Sequence, residues 1–223
     1  MGERRRGESG EPGTGFSQDP EEQSSLLQRA VAVLQSSSLH SSSQQRFQYS
    51  RAILVENEFF LSELQAFARA KAAAGYSQEE LQESFAFLPF EQEEEAQRVC
   101  ERGLRVNSSS SCSLGDPARG VYISKYSDCL HPSPWHQGKS GFIVICKLIK
   151  GKVRAIPESS PSSCTCPSPG YDCHVSSGSS QYYVYEVSGA GAAERPRQVC
   201  PYVLLACQHR PAREMPAPAP LRP

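Results

Sequence analysis

The sequence predicts an α+β fold in which helices come first and a largely antiparallel sheet follows. Apolar residues recur at helical spacing over residues 52–102, and short apolar runs with hairpin-length links follow from residue 104 onward. The alternation of strand and helix that a parallel nucleotide-binding sheet requires is missing. At 223 residues the chain is long enough for one domain with extended ends.

Composition excludes several classes of protein. A net charge of −1 gives the whole chain no electrostatic preference for nucleic acid or anionic lipid. There is no run of about 18 apolar residues, which argues against a membrane span. The first residues, MGERRRGESGEPGTG, have no apolar core and do not fit a secretory signal. The nine cysteines are therefore expected to be reduced thiols of the cytosol or nucleus.

The two ends of the chain are predicted to be disordered. Residues 1–46 are rich in Gly, Glu, Gln and Ser and have too little apolar surface to offset their ordering entropy. Within them, LLQRAVAVLQ (26–35) has the pattern of a transient amphipathic helix, and Arg4–Arg6 form a basic triplet that is weak evidence for nuclear import. Residues 208–223 are proline-rich. The folded body is predicted to span 47–207.

Three helices are predicted, over residues 52–74, 78–85 and 92–102. Gly75 ends the first. Ser77, followed three residues later by Glu80, is a capping box that would open the second. Gly103 ends the third.

Strands are predicted over residues 104–106, 120–124, 141–149, 152–156, 182–187 and 202–207. Residues 142–146 are apolar on both faces, which predicts a central, doubly covered strand. Cys100, Cys146 and Cys207 lie in apolar patterns and are expected in the core. Tyr122 lies early in its strand, where its side chain could line a cleft or fill a core.

Common catalytic and metal motifs do not fit. HQGKSG (136–141) is not a phosphate loop, because Ser133 stands where glycine is needed and a strand follows instead of a helix. There is no GxSxG nucleophile elbow. His131 and His136 bracket Trp135 in a loop that could bind a ligand, although an anchored surface loop is the commoner outcome.

A zinc site is the remaining metal hypothesis. CTCPSPGYDCH places Cys164, Cys166, Cys173 and His174 within eleven residues, and zinc takes thiolate and imidazole ligands. The CxC spacing is tighter than usual and no second ligand pair accompanies it. Cys173 and His174 are better explained by packing or hydrogen bonding at the base of a loop, so no metal is expected.

From Glu80 to about Cys207 the sequence resembles the N-terminal domain of the TASOR family of chromatin-silencing proteins. The stretches that carry the resemblance are QESFAFLPF (82–90), VCERGLRV (99–106), LGDPARGVYISKYSDCL (114–130), GKSGFIVICKLIKGKV (138–153), CPSPGYDCHVS (166–176), QYYVYEV (181–187) and RQVCPYVLLAC (197–207). The resemblance implies a degenerate poly(ADP-ribose) polymerase (PARP) fold with a split, mainly antiparallel sheet. The chain looks closer to the second paralogue of that family.

The resemblance also implies which positions correspond to the NAD site of active ADP-ribosyl transferases, which use a histidine, a tyrosine and a glutamate. Tyr122 in GVY matches the tyrosine. Counting back from Gly103 places Pro89 or Phe90 where the histidine is expected, and Gln181 stands where the glutamate is expected. Proline and phenylalanine offer no side-chain hydrogen bond to a ribose, and glutamine cannot support a developing cation. A pseudoenzyme without NAD or another cofactor is therefore expected.

Family members act in the nucleus, in a silencing assembly of the HUSH type that represses transposable elements. The resemblance thus implies nuclear localisation and chromatin-silencing partners. Full-length members are much longer, and we interpret this chain as a short, truncated member.

Two other functions stay open at this point. An active mono-ADP-ribosyl transferase is one, since some relatives without the glutamate modify single sites. The other is an RNA- or protein-binding module that uses Lys147, Lys150, Lys152 and Arg154 on a strand ridge, although solvated edge lysines are the commoner case.

Overall fold

The computed structural model describes residues 20–40, 47–109, 111–128, 140–157, 167–185 and 195–209. The helices are α1 (Pro20–Ser36), α2 (Glu58–Ala73) and α3 (Glu93–Arg102). The strands are β1 (Phe47–Leu54), β2 (Glu83–Phe90), β3 (Val121–Ser124), β4 (Ser140–Ile149), β5 (Val153–Ala155), β6 (Cys173–Val175), β7 (Gln181–Val184) and β8 (Val199–His209). The predicted α+β class is confirmed. In the described part of the chain, no helix combines the length and the hydropathy needed to span a bilayer.

The eight strands form one sheet in the order β1-β8-β4-β2-β3-β7-β6-β5. Every pairing is antiparallel except that of β5 with β6. β2 and β3 meet at a single register pair, Phe87 with Ser124, whereas β2 pairs with β4 along its whole length. The sheet is therefore split into two halves joined at this point.

Helices cover both faces of the first half. Leu26, Ala30 and Leu34 of α1 pack on one face, against buried side chains of β2, β4 and β8: Phe87, Ile143, Ile145, Val203, Leu205 and Cys207. α3 contributes Ala96 and Cys100 to the opposite face. Because β4 is covered on both faces, residues 143–146 are completely buried, as their unbroken apolar pattern predicts.

The expectation of a disordered tail over residues 1–46 is wrong for residues 20–36, which form α1. The chain after α1 is also held in place. Ser127 donates its hydroxyl to the Leu34 carbonyl at 2.6 Å, and the Asp128 carboxylate accepts the backbone N–H groups of Leu39 and His40 at 2.7 and 2.9 Å. Ordering this segment costs conformational entropy, which its composition alone does not offset. The apolar face of α1 that is buried against the sheet, together with these long-range hydrogen bonds, offsets that cost.

Three secondary-structure predictions are wrong. Residues 52–54 end β1 instead of opening a long helix, residues 83–85 begin β2 instead of ending one, and 104–106 is not a strand. The capping box itself forms, with Ser77 N–H donating to Glu80 Oε2 at 2.7 Å and Glu80 N–H to Ser77 Oγ at 3.2 Å. It closes only a turn, because the chain then enters β2 and pairs with β4.

Helix α3 and its stop are confirmed. Glu93, Glu94 and Glu95 occupy its first turn, where the helix dipole favours them. Gly103 follows with φ +76°, a conformation that residues with a Cβ adopt rarely, and donates its N–H to the Val99 carbonyl at 2.8 Å.

Candidate functional site

The four residues singled out by comparison with transferases lie on three neighbouring strands. Pro89 and Phe90 end β2, Tyr122 lies on β3, and Gln181 begins β7. Along the β3–β7 pair, Tyr122 is opposite Tyr183, and Ser124 is opposite Gln181. Paired residues share a face of a sheet, so Tyr122 and Gln181 belong to the same face.

The hydroxyl of Tyr122 is fully engaged by the loop that precedes its own strand. It accepts the backbone N–H groups of Leu114 at 3.0 Å and Gly115 at 2.8 Å, and it donates to the Gly115 carbonyl at 2.6 Å. A phenol oxygen has one donor and two acceptor sites, so all three are used. Only 3% of Tyr122 is exposed, and burial raises the pKa of its hydroxyl despite the two backbone donors.

The ring of Tyr183 fills the space between this loop and the sheet. Tyr183 is completely buried, its ring centroid lies 5.1 Å from that of Tyr122, and its hydroxyl donates to the Asp116 carbonyl at 2.7 Å. A Cβ atom added at Gly120 would lie 2.6 Å from Cζ of the ring, and one at Gly115 would lie closer still. Both positions need glycine for this close approach. Thus the glycine of GVY makes room for a buried tyrosine.

His174 connects the same loop to β6. Its Nδ1–H donates to the Leu114 carbonyl at 2.7 Å, and its Nε2 accepts the Ser168 hydroxyl at 2.8 Å. Ser168 Oγ in turn accepts from Nη1 of Arg154 at 2.6 Å. Burial lowers the pKa of His174, and the Arg154 guanidinium acts in the same direction, although the bond to Leu114 opposes both. The imidazole is therefore neutral, with both nitrogens in use.

We call Tyr122, Tyr183, Tyr185, His174 and Leu114 the tyrosine cluster. The rings of Tyr183 and Tyr185 lie 5.4 Å apart, and the imidazole lies 4.8 Å from the Tyr185 ring. Burial is the largest cause of a raised phenol pKa at both Tyr183 and Tyr185. The three phenols therefore keep their protons at neutral pH. The chemistry of the cluster is packing and hydrogen bonding.

Sequence reasoning identified Tyr122 and His174 but missed Tyr183 and Tyr185. A signal for Tyr183 was present, because Gly115 and Gly120 flank the loop that covers its ring. Glycine spacing alone, however, does not say which side chain occupies the space.

Part of the zinc hypothesis lies outside the described residues, namely Cys164 and Cys166, and so do His131, Trp135 and His136. Cys173 is buried, and burial raises the pKa of its thiol to about 12, far from the thiolate that binds metal. Within the described ranges no three His, Cys, Asp or Glu side chains are grouped to hold a metal ion. Cys173 packs in the core, and the His174 ring is held by its bonds to Leu114 and Ser168.

The four basic residues of the predicted ridge lie in different surroundings. Lys147 pairs with Glu83 at 3.2 Å. Arg154 bonds to Ser168, as described above. All four lie over tyrosine rings: Lys150 and Lys152 at 5.7 and 4.4 Å from the ring centroids, Lys147 at 5.1 Å and Arg154 at 6.0 Å.

Comparison with known proteins shows which family this chain matches. Residues 70–201 match the family model described as "Protein of unknown function (DUF3715)". The human protein TASOR is 36% identical over 203 residues, which cover 81% of this chain, and mouse TASOR is 35% identical over 201 residues, which cover 80%. The crystal structure of the TASOR pseudo-PARP domain superposes with a TM-score of 0.76 at 35% identity, covering 82% of this chain and 94% of that domain. The matched region spans only 12% of the full length of either TASOR protein.

Proposed function

We propose a function from one premise: the chain belongs to the TASOR family and has the pseudo-PARP fold of that family. The function is that of a catalytically inactive interaction domain, which binds other proteins of a nuclear gene-silencing assembly. The domain provides a surface that binds other proteins, and it transfers no ADP-ribose.

A single observation carries the proposal of inactivity: Tyr122, at the position of the transferase tyrosine, is buried beneath a loop and packed against Tyr183. The Tyr122 hydroxyl is committed to Leu114 and Gly115, and the Tyr183 ring fills the space beneath the loop. A nicotinamide ring would need to displace these completely buried groups. The packing and hydrogen bonds lost in this way would make the free energy of binding less favourable.

The residues at the degenerate positions support the same proposal. Pro89 is paired with Ile143 inside the β2–β4 ladder, and it has neither a side-chain donor nor a backbone N–H to offer a ribose. Gln181 keeps the shape of glutamate without its charge, and removal of one such electrostatic contact costs about 10²–10³ in rate. Loss of both positions leaves no basis for efficient transfer.

Two measurements on the intact chain test inactivity. Isothermal titration with a non-hydrolysable NAD analogue is expected to give no heat at millimolar ligand, and incubation with labelled NAD is expected to give no labelled protein. The matched variant is Pro89→His/Gln181→Glu, which restores two side chains while leaving the tyrosine cluster in place. We expect it to stay inactive, since the cluster still fills the site. Micromolar binding or labelling by the unmodified chain would favour the mono-ADP-ribosyl transferase instead.

The silencing role needs a separate test. A tagged chain is expected to co-purify from nuclear extract with subunits of a HUSH-type complex, and Leu114→Asp, which disrupts the loop over the cluster, is expected to abolish this. Recovery of the same set of proteins by an unrelated domain of similar charge would argue against a specific interaction.

A further inference from the structure

A row of lysines and tyrosines lies beside the split in the sheet. It consists of Lys125, Lys150, Lys152, Tyr182 and Tyr76, which we call the lysine–tyrosine row. Nζ of Lys125 and Nζ of Lys150 lie 5.4 and 5.7 Å from the centroid of the same Tyr182 ring. Nζ of Lys152 lies 4.4 Å from the Tyr76 ring. Lys150 and Lys152, two residues apart in the chain, therefore link the two ring contacts.

The three ammonium groups have no carboxylate partner among the described residues. Two carboxylates on the neighbouring elements are bonded to lysines outside the row. The Asp172 carboxylate binds Lys71 at 2.7 Å, and Glu83 binds Lys147 at 3.2 Å. The ammonium groups of the row thus form no ion pair within the described part of the chain, although the Asp172 carboxylate also accepts the backbone N–H of Lys152 at 2.9 Å.

The row is held in position by the fold. Nζ of Lys125 donates to the carbonyls of Ser176 and Ser179 at 3.1 and 2.8 Å. Lys150 and Lys152 flank Gly151, whose φ of +67° bends the chain and whose N–H donates to the Glu80 carbonyl at 3.1 Å. These lysines are half-buried against rings instead of extending into solvent. Much of the side-chain entropy that binding an anion would cost is therefore already lost on folding.

The ammonium groups of Lys125 and Lys150 repel each other when no anion is bound. Burial lowers the pKa of Lys125, and the nearby Lys150 ammonium lowers it further. A phosphate placed between the two would relieve this repulsion.

We propose that the lysine–tyrosine row binds single-stranded nucleic acid. The three ammonium groups contact successive phosphates of the strand. The half-buried rings of Tyr182 and Tyr76 provide aromatic surface beside the backbone, on which unpaired bases can lie, whereas the bases of a duplex are covered. This differs from the ridge expected from sequence. Lys147 is paired with Glu83, and Arg154 lies over a different ring, that of Tyr171, whereas Lys125 shares the Tyr182 ring with Lys150.

Fluorescence anisotropy on the intact chain, with labelled 15-nucleotide U-only RNA and T-only DNA, tests the proposal. Three phosphate contacts predict a slope of about −2 for log K against log salt. Lys150→Gln/Lys152→Gln should reduce the slope to about −0.7 and weaken binding about 25-fold at 0.1 M salt, since two contacts are lost. The charge-preserving Lys150→Arg/Lys152→Arg should retain binding, and so should the matched control Lys147→Gln. Thermal unfolding midpoints of all variants establish that each is folded.

The outcomes that overturn the proposal are distinct. One is no binding at 50 mM salt to either oligonucleotide. Another is binding that Lys150→Gln/Lys152→Gln leaves unchanged or that Lys147→Gln weakens equally. Equal affinity for a 15-base-pair duplex would reject the single-strand assignment, and equally effective competition by polyglutamate would assign the row to an acidic protein. None of these results depends on the NAD titration, so this proposal and the proposed function can fail independently.

Discussion

The ring of Tyr183 occupies the space that a side chain at Gly120 would need, with only 2.6 Å between its Cζ and the position of an added Cβ. The relationship joins β7 to the start of β3 and closes the loop over the sheet. It explains why glycine precedes β3: a side chain at residue 120 would collide with the buried Tyr183 ring.

Gly120→Ala is expected to lower the free energy of unfolding by about 1–3 kcal/mol, because the new methyl group overpacks a filled site. Urea denaturation followed by circular dichroism measures the change. In the double variant Gly120→Ala/Tyr183→Leu the smaller side chain makes room, so its destabilisation should be less than the sum of the two single changes. Strict additivity would show that the ring and the glycine are not coupled.

Tyr122→Phe is expected to destabilise the fold by about 1–3 kcal/mol, because the buried N–H groups of Leu114 and Gly115 lose their acceptor. Urea denaturation gives the magnitude, and hydrogen exchange at these two amides should accelerate. Tyr171→Phe is the matched control, since Tyr171 is 42% exposed and its change should stay within about 0.5 kcal/mol. If the Tyr122 hydroxyl faced an open cleft, Tyr122→Phe would destabilise the fold as little as Tyr171→Phe does.

His174 is expected to make stability depend on pH. Its folded pKa is below the usual 6.5, so the unfolded chain binds more protons between the two values, and stability increases with pH across that window. The contribution is complete above about 6.5 and is lost as pH falls towards the folded pKa. The urea midpoint of the native chain should drop from pH 7.5 to 5.5 by more than that of His174→Asn. Parallel profiles would assign the pH dependence to other groups.

Lys71→Met is expected to cost about 3–5 kcal/mol, because it leaves the Asp172 carboxylate, only 2% exposed, without its cation. In Lys71→Met/Asp172→Asn the buried charge is also removed, and part of the loss should be recovered. Chemical denaturation of the two variants provides the comparison. If the double variant were destabilised by as much as the sum of the two single changes, the broken ion pair would not be the cause of the lost stability.

Leu34→Ala is expected to destabilise the whole domain by about 2–5 kcal/mol, because Leu34 is 1% exposed and packs α1 against the sheet. Leu39→Ala provides the control, since Leu39 is 49% exposed and the bond from its N–H to Asp128 survives the change. A single cooperative transition that shifts in Leu34→Ala alone would show that α1 belongs to the folded unit. An unchanged midpoint in Leu34→Ala would instead indicate that α1 is not part of the cooperatively folded domain.

The sequence by itself determined the elements whose signals are local. Helix α3 has its acidic first turn and its glycine stop within twelve residues, and β4 has an uninterrupted apolar run. The resemblance to the TASOR family likewise depended on local stretches, and it correctly predicted the fold. The capping box of Ser77 and Glu80 also formed as written, although no helix followed.

Only the tertiary structure decided the elements and contacts that depend on distant partners. Ile53 and Leu54 have helical spacing to the residues of α2, yet they form a strand because β8, about 150 residues further along the chain, offers Leu204 and Val203 as partners. Tyr183 becomes a core residue only where Gly115 and Gly120 leave space for its ring. Strand pairing and side-chain packing of this kind are set by residues far apart in sequence, so no local pattern contains them.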